Sequence, residues 1–250
     1  MNEQEKVTDA VKAHYASLAR QTKPSCCAPS SCCTPAVTDI STGYTSDDLA
    51  HLPAGANMGL GCGNPTAMAD IKPGETVIDL GSGPGIDCFL AAPRVGPQGR
   101  VIGIDMTPEM IARARANATA GGYGNVEFRL GQIEDMPVES GTADMVISNC
   151  VINLSPDKPR VFAEIHRVLR PGGRFSVSDI VANGTIPPEV RTDMEKWAGC
   201  VAGALGKDEY LDIIRRAGFT DITIKAEVEY DYHKTDNYSL ASITVTARKP

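Results

Sequence analysis

An apolar run that ends in a glycine-rich turn, answered about 20 residues later by an acid at the end of a second strand, admits few folds. Here the run is Val77-Ile78-Asp79-Leu80-Gly81-Ser82-Gly83-Pro84-Gly85-Ile86-Asp87. Val77, Ile78 and Leu80 predict a short strand covered on both faces. Gly81, Gly83 and Gly85 predict a turn sharp enough to bring backbone against a ligand. The stretch Ile86 to Ala92 predicts a helix whose N-terminal amides face that ligand. The answering acid is Asp105, closing Val101-Ile102-Gly103-Ile104, where a Rossmann-like fold keeps its ribose-binding carboxylate.

The spacing also separates cofactors. Dinucleotide sites favour GxGxxG, whose amides meet a pyrophosphate, whereas this chain carries GxGxG preceded by Asp79. An acid just before the glycines suits a cationic, zwitterionic ligand, and S-adenosylmethionine, with its ammonium and sulfonium, is one.

The rest of the chain continues the alternation. Thr107 and Pro108 predict the N-cap and first residue of a helix that Gly121-Gly122 stops. Further strands are predicted over Asn125 to Leu130, Ala143 to Ser148 and Arg174 to Ile180. Between the last two, Ser155-Pro156 opens a helix in which Val161, Phe162, Ile165, Val168 and Leu169 share a face. Such alternation implies an α/β fold with a Rossmann-like, doubly wound parallel sheet. Beyond Ile180 the pattern changes: a helical stretch from Pro187-Pro188 through Trp197 and Cys200 to Leu205, a helix from Asp208 to Ala217, and two strands, Ile222 to Val228 and Ala241 to Ala247. These strands form either an antiparallel edge or a small separate layer, so a small α+β C-terminal domain is expected.

Toward the N-terminus, Val7, Val11, Tyr15 and Leu18 recur at helical spacing. The helix they predict, from about residue 5 to 20, either packs on the main domain or covers the ligand as a lid. Pro24 to Pro35 is too rich in Pro, Ser and Cys for a regular element. Near Tyr44 a helix restarts with Thr45 or Ser46 as N-cap, and Asn57 to Pro65 is a glycine-rich loop that places Cys62 just before the first strand. Three divisions follow: 1–40, an N-terminal helix and cysteine-rich arm; 41–182, the Rossmann-like domain; 183–250, a C-terminal substrate domain.

With 250 residues the chain can form one large α/β domain with an appendage, and a net charge of -7 with no basic run argues against nucleic acid or an anionic membrane as partner. No apolar run approaches a membrane span of ~18 residues, and Met1 to Lys12 lacks the apolar centre of a signal peptide, so a cytoplasmic protein is expected. The eight cysteines are then expected as free thiols. Cys26, Cys27, Cys32 and Cys33 cluster near the N-terminus; Cys88 falls inside a helix and reads as core.

Cys62, Cys150 and Cys200 stand in distinctive contexts: Gly59-Leu60-Gly61-Cys62-Gly63-Asn64-Pro65, Ser148-Asn149-Cys150-Val151-Ile152-Asn153-Leu154 and Trp197-Ala198-Gly199-Cys200-Val201-Ala202-Gly203-Ala204-Leu205. In these stretches, and from Tyr44 to Val228, the chain closely resembles the arsenite methyltransferases, enzymes of the class I methyltransferase superfamily. The resemblance implies transfer of methyl groups from S-adenosylmethionine to trivalent arsenic, supplied as arsenite or a thiol conjugate and held by Cys62, Cys150 and Cys200. It assigns Gly81, Ser82, Gly83 and Gly85 to the methionine part of the cofactor and Asp105 to the ribose hydroxyls, with Asp79, the acid before the glycines, as a further cofactor-binding residue. Met106 and Ile133 would meet the adenine faces, Glu134 its amino edge and Asn149 the methionyl end. It also implies a monomer and a thiol reductant, glutathione or thioredoxin, as co-substrate. A further cysteine, Cys32 or Cys33, would form a disulfide that resets arsenic to the trivalent state; the four N-terminal thiols could instead load arsenic or be a dispensable metal-scavenging tail. Gly199 stands where some relatives carry Glu.

The residues favour this chemistry on their own terms. Cys150 follows the fourth strand, which puts it at the sheet edge that carries the glycine turn. Holding three thiols deprotonated at pH 7 costs roughly 6 kcal/mol, so a soft centre must offset it, and proton release on binding is expected. An arsenic lone pair needs no general base, and His14, His51, His166 and His233 form no cluster. Two other readings stay open: a methyltransferase of a small organic acceptor with structural cysteines, and a non-catalytic thiol module for a metal or metalloid.

Overall fold

The computed structural model describes residues 2–20, 43–230 and 237–250, so Cys26, Cys27, Cys32 and Cys33, with their expected arm, lie outside the described residues. Eight strands among the described residues share one sheet: β1 (Thr76–Leu80), β2 (Arg100–Asp105), β3 (Val126–Leu130), β4 (Ala143–Asn149), β5 (Leu169–Gly184), β6 (Leu205–Gly206), β7 (Thr220–Tyr230) and β8 (Tyr238–Arg248). Their order is β3-β2-β1-β4-β5-β8-β7, with the short β6 beside β5. β1 to β5 run parallel, and β8 is antiparallel to both of its neighbours. The chain leaves β1 toward β2 on one side and later returns to place β4 on the other. That reversal opens a crevice at the carboxyl ends of the strands, the ligand position of open α/β sheets.

Strand pleating sorts the apolar residues into two layers. Ile78 and Leu80 of β1 and Val146 of β4 face one side, against Val161, Phe162 and Ile165 of α6 (Lys158–Val168) and Tyr210 and Ile214 of α9 (Lys207–Arg216). Val77 of β1 with Met145 and Ile147 of β4 face the other, against Phe89 and Ala92 of α4 (Ile86–Val95) and Ile111 and Ala114 of α5 (Pro108–Gly121). Each such buried Val, Ile or Phe contributes about 1.5–3 kcal/mol, so both faces must be covered for the sheet to persist.

Some local outcomes differ from expectation. α4 runs past Ala92 and carries Pro93 before Gly96 ends it. α6 begins at Lys158 rather than at Ser155-Pro156, because Asp157 caps it by accepting from Arg160 N at 3.0 Å; the chain before it forms a 3-10 turn, Ile152–Leu154. The continuous helix expected from Pro187 to Leu205 is two short ones, α7 (Pro188–Arg191) and α8 (Met194–Ala198), divided where Asp193 turns back to cap α8. Of the two arrangements open for the C-terminal strands, the antiparallel edge is adopted. β8 pairs with β5 from Arg174 to Gly184, so the division drawn at 182/183 falls inside β5.

The predicted N-terminal helix is α1 (Glu3–Arg20), and α2 (Ser46–Ala50) starts with a capping box between Thr45 and Asp48. A short α3 (Pro65–Met68) follows the Cys62 loop. No helix among the described residues is long and apolar enough to cross a membrane.

Candidate active site

The glycine turn builds one wall of a cleft at the carboxyl ends of β1, β2 and β4. Gly81 sits at φ 62°, and a Cβ there would stand 2.2 Å from Val151 Cγ2, so the turn and the exit from β4 touch closely enough to require glycine. Gly83 N donates to Asp105 Oδ2 at 3.0 Å and Thr107 N donates to Oδ1 at 2.8 Å. These bonds aim the Asp105 carboxylate, whose pKa burial raises. Met106, Ile133 and Glu134 line the same cleft. Glu134 is half-buried and accepts a bond from the Ser155 hydroxyl, so it is a fixed group rather than a freely solvated acid. Its loop is clamped by α6: Met136 N donates to Glu164 Oε2 at 2.8 Å and Arg167 Nη2 donates to Met136 O at 3.1 Å.

Asp79 takes a different place from the one assigned to it. It is buried in β1 off the cleft wall and accepts from the Cys88 thiol at 3.2 Å, because strand alternation turns it toward the layer that α4 covers. The acid that does face the cleft beside the glycines is Asp87, in the first turn of α4. It accepts from the Tyr44 hydroxyl at 2.8 Å and the Thr66 hydroxyl at 2.6 Å; burial raises its pKa and these two bonds pull it back. Neither Asp87 nor Tyr44 has a role assigned from the sequence, although Asp87 lies only two residues past Gly85.

Asn149 lines the cleft and also clips the Cys62 loop. Its Oδ1 accepts from Cys62 N at 3.0 Å and Gly63 N at 3.2 Å, and its Nδ2 donates to Gly63 O at 2.7 Å and to the Tyr44 oxygen at 2.7 Å. From the C-terminal strands, Ser242 Oγ donates to Cys62 O at 2.7 Å and Tyr230 Oη at 3.3 Å. The Cys62 loop is thus anchored on both sides and its side chain is buried, not open to approach from several sides as a glycine-flanked loop would suggest.

Three thiols from three parts of the chain meet here. Cys62, Cys150 and Cys200 belong to one buried cluster, all free, and Cys150 interacts electrostatically with both others. Cys200 Sγ donates to Cys150 O at 2.9 Å. Cys150 and Cys200 both have φ 61°, a left-handed conformation that few non-glycine residues adopt. Cys150 N is fixed by Ser178 O at 2.8 Å and Cys200 N by Trp197 O at 3.0 Å. Burial pushes the Cys62 thiol up; the neighbouring Cys200 and Cys62, then burial, push Cys150 well above the usual range. Among the described residues no group of three or more His, Cys, Asp or Glu is arranged as a ready metal site, so the cluster is not a preset zinc cage. Cys150 belongs both to it and to the cleft wall. Cys88 is fully buried beside Asp79, away from the cluster, as a core residue should be.

The cleft's chemistry discriminates among ligands. Among the described residues its lining holds the carboxyls of Asp87, Asp105 and Glu134 and no Lys, Arg or His, which suits a cation and repels a pyrophosphate. Ser82 Oγ is a further cleft atom, buried and without a hydrogen-bond partner among the described residues, as an atom awaiting a ligand would be. An acid-lined cleft beside a glycine turn, on a sheet with an antiparallel β8 between β5 and β7, defines a Rossmann-like fold of the class I methyltransferase type. The chain belongs to the methyltransferase domain family, whose model matches residues 71–218.

Among its relatives, the arsenite methyltransferase of Halobacterium salinarum is 50% identical over 215 residues, which is 83% of this chain and 55% of that protein. The arsenite methyltransferase of Homo sapiens is 39% identical over 152 residues, 57% of this chain and 40% of that protein. The crystal structure of an arsenic(III) S-adenosylmethionine methyltransferase from Chlamydomonas reinhardtii superposes with a TM-score of 0.67 at 39% identity, covering 74% of this chain and 66% of that one. The chain spans about half the length of the curated relatives it matches.

Proposed function

We propose that this chain methylates trivalent arsenic with S-adenosylmethionine, holding the metalloid on Cys62, Cys150 and Cys200. The observation that carries the reading is the meeting of these thiols in one cluster that shares Cys150 with the acid-lined cleft. Dispersed cysteines serving only as small hydrophobes have no reason to converge at the cleft, which weighs against an organic acceptor.

The residues divide the work. Gly81, Ser82, Gly83 and Gly85 admit the methionine part of the cofactor close to backbone, and Asp87 rather than Asp79 supplies negative charge to it. Asp105 suits the ribose hydroxyls, Met106 and Ile133 the adenine faces, and Glu134 its amino edge. When bound, S-adenosylmethionine supplies an electrophilic methyl group on a sulfonium that departs as a neutral thioether. The chain's part is to exclude water and point a soft, lone-pair-bearing centre at that methyl.

Protonated thiols alter the expected proton count. With Cys62 and Cys150 held up, each thiol gives its proton to an As–OH group that leaves as water, so arsenite and three thiols yield three As–S bonds and three waters without net proton release. Forming the As–C bond consumes the lone pair and takes arsenic from trivalent to pentavalent. Two thiols becoming a disulfide return two electrons and restore the trivalent state. Cys32 or Cys33 with Cys62 fits that role, with glutathione or thioredoxin regenerating the thiols. Free thiols suit the cytoplasm, and the acidic chain, working as a monomer, needs neither nucleic acid nor membrane. Residues 1–40 would serve loading and reduction, 41–182 the cofactor, and 183–250 would bring Cys200 to the metalloid.

The test is incubation with arsenite, glutathione and S-adenosylmethionine, followed by separation of arsenic species. Methylated product is expected from the wild type and none from Cys150→Ser. Product at wild-type rate from the variant would overturn the thiol site.

A further inference from the structure

α1 lies where the two halves of the site meet. Val7 and Val11 are buried in the same cluster as Cys62, Cys150 and Cys200, while Thr8, Val11 and Tyr15 line the cleft. The helix is therefore lid and packing element at once. It is tied at both ends of the joint. Toward the cofactor side, Arg113 Nη1 of α5 donates to Ala19 O at 3.0 Å and Arg20 pairs with Glu109, on the helix that follows Asp105. Toward the thiol side, the Tyr15 hydroxyl donates to Ala198 O at 3.1 Å, two residues before Cys200.

Resting on the function proposed above, we propose that Tyr15 is a positioning residue that couples the metalloid site to the cofactor site. Its ring packs against the thiol cluster and walls the cleft, while its hydroxyl bond carries the position of the 198–200 segment to α1. Cys200 is held in a left-handed conformation at the end of that segment, so arsenic that ties Cys200 to Cys150 and Cys62 also fixes the Ala198 carbonyl. A fixed acceptor holds Tyr15 down, and with it the helix over the cofactor. Burial, then Cys200 and Cys150, push the phenol well above its usual range, so it remains a donor throughout the working pH range. Because coupling is reciprocal, a bound cofactor must tighten arsenic binding by the same factor that arsenic tightens the cofactor.

The experiment uses S-adenosylhomocysteine, which has no methyl to transfer, titrated calorimetrically into the full chain with and without saturating arsenite. In the wild type arsenite is expected to tighten binding about five-fold or more. In Tyr15→Phe, which keeps the ring and removes the donor, that factor should fall below about two-fold, the ratio of the two affinities rather than either one being the readout. A purely structural Tyr15 would lower both affinities and leave their ratio intact. Equal ratios in the two proteins, or no coupling in the wild type, would overturn the proposal. Quenching of Trp197 fluorescence by arsenite alone is read in parallel: no quenching and no heat from arsenite would sink the function reading itself, whereas arsenite binding without coupling sinks only the role of Tyr15. Should the phenylalanine variant not fold, wild-type Trp197 titrated with arsenite, with and without S-adenosylhomocysteine, still decides whether the coupling exists.

Discussion

Cys150 and Cys200 are each held at φ 61°, and strained conformations of this kind cost of order 1–3 kcal/mol and persist only where the surroundings impose them. At Cys200 the imposing contact is Gly203. A Cβ there would stand 2.0 Å from Asn153 O and 2.7 Å from Trp197 Cζ3, so only glycine lets the segment after Cys200 lie against the turn that follows Cys150. Gly203→Ala should therefore displace Cys200 while leaving the glycine turn alone. Arsenite affinity is expected to drop ten-fold or more, an effect of about 1.4 kcal/mol, with S-adenosylhomocysteine affinity within two-fold of wild type. Fluorescence titration for the first and calorimetry for the second check the split; equal losses would mean that Gly203 supports the fold as a whole rather than the thiol.

At the scale of elements, α6 acts on the cofactor side through the loop that carries Ile133 and Glu134, Arg160 Nε donating to Glu134 O at 2.9 Å. Arg167 pairs with Glu164 on its own helix and donates to Val138 O at 2.8 Å, and Glu164 receives Met136 N, so one helix face fixes the loop that presents Ile133 and Glu134. Arg167→Ala should raise the KM for S-adenosylmethionine several-fold with little change in kcat, because a looser loop weakens binding of donor and transition state alike; a fall in kcat at constant KM would contradict it. Much of this architecture was legible in the sequence. The Thr107-Pro108 start, the glycine turn and the strand-end Asp105 are local signals whose geometry does not depend on distant partners. The helix expected from Pro187 to Leu205 breaks where Asp193 caps α8, and its end past Ala198 was not legible because the segment there depends on Gly203 meeting Asn153, fifty residues away in sequence. The place of Asp79 was not legible for a similar reason: both faces of β1 are buried, so alternation says that Asp79 opposes Ile78 and Leu80 but not which face the cleft sees. The thiols were placed by their contexts, yet Asn149 as the clip on the Cys62 loop emerges only when β4 and that loop stand side by side.

Across the whole molecule, buried acids set how stability responds to pH. Asp79, Asp87 and Asp105 have raised pKa values through burial, and Asp179, with Lys158 pulling it partly back, is raised to about 7. A carboxyl whose pKa is higher in the folded than in the unfolded chain binds its proton more tightly when folded. The stability it contributes is full below an ordinary carboxyl pKa of about 4 and is lost as pH rises through the folded value. Glu127, lowered to about 2 by Arg129 and Arg100, acts in the opposite sense but has finished titrating in both states by about pH 5, and it is exposed enough for solvent to screen it. Lys158, lowered to about 8 by burial, is charged in both states up to about pH 7 and adds no slope there. The urea midpoint of the ligand-free protein should therefore fall between pH 5 and 7.5, against the common trend. Asp179→Asn should flatten that fall by on the order of 2 kcal/mol, since its amide can still accept from Tyr210 but no longer ionises. Adding S-adenosylmethionine should shrink the remaining slope, because a cation in the cleft favours the ionised forms of Asp87 and Asp105. A midpoint that rises steadily with pH in both proteins would mean that these buried carboxyls are already ionised, with Lys158 beside Asp179 and Arg94 near Asp87 outweighing their burial.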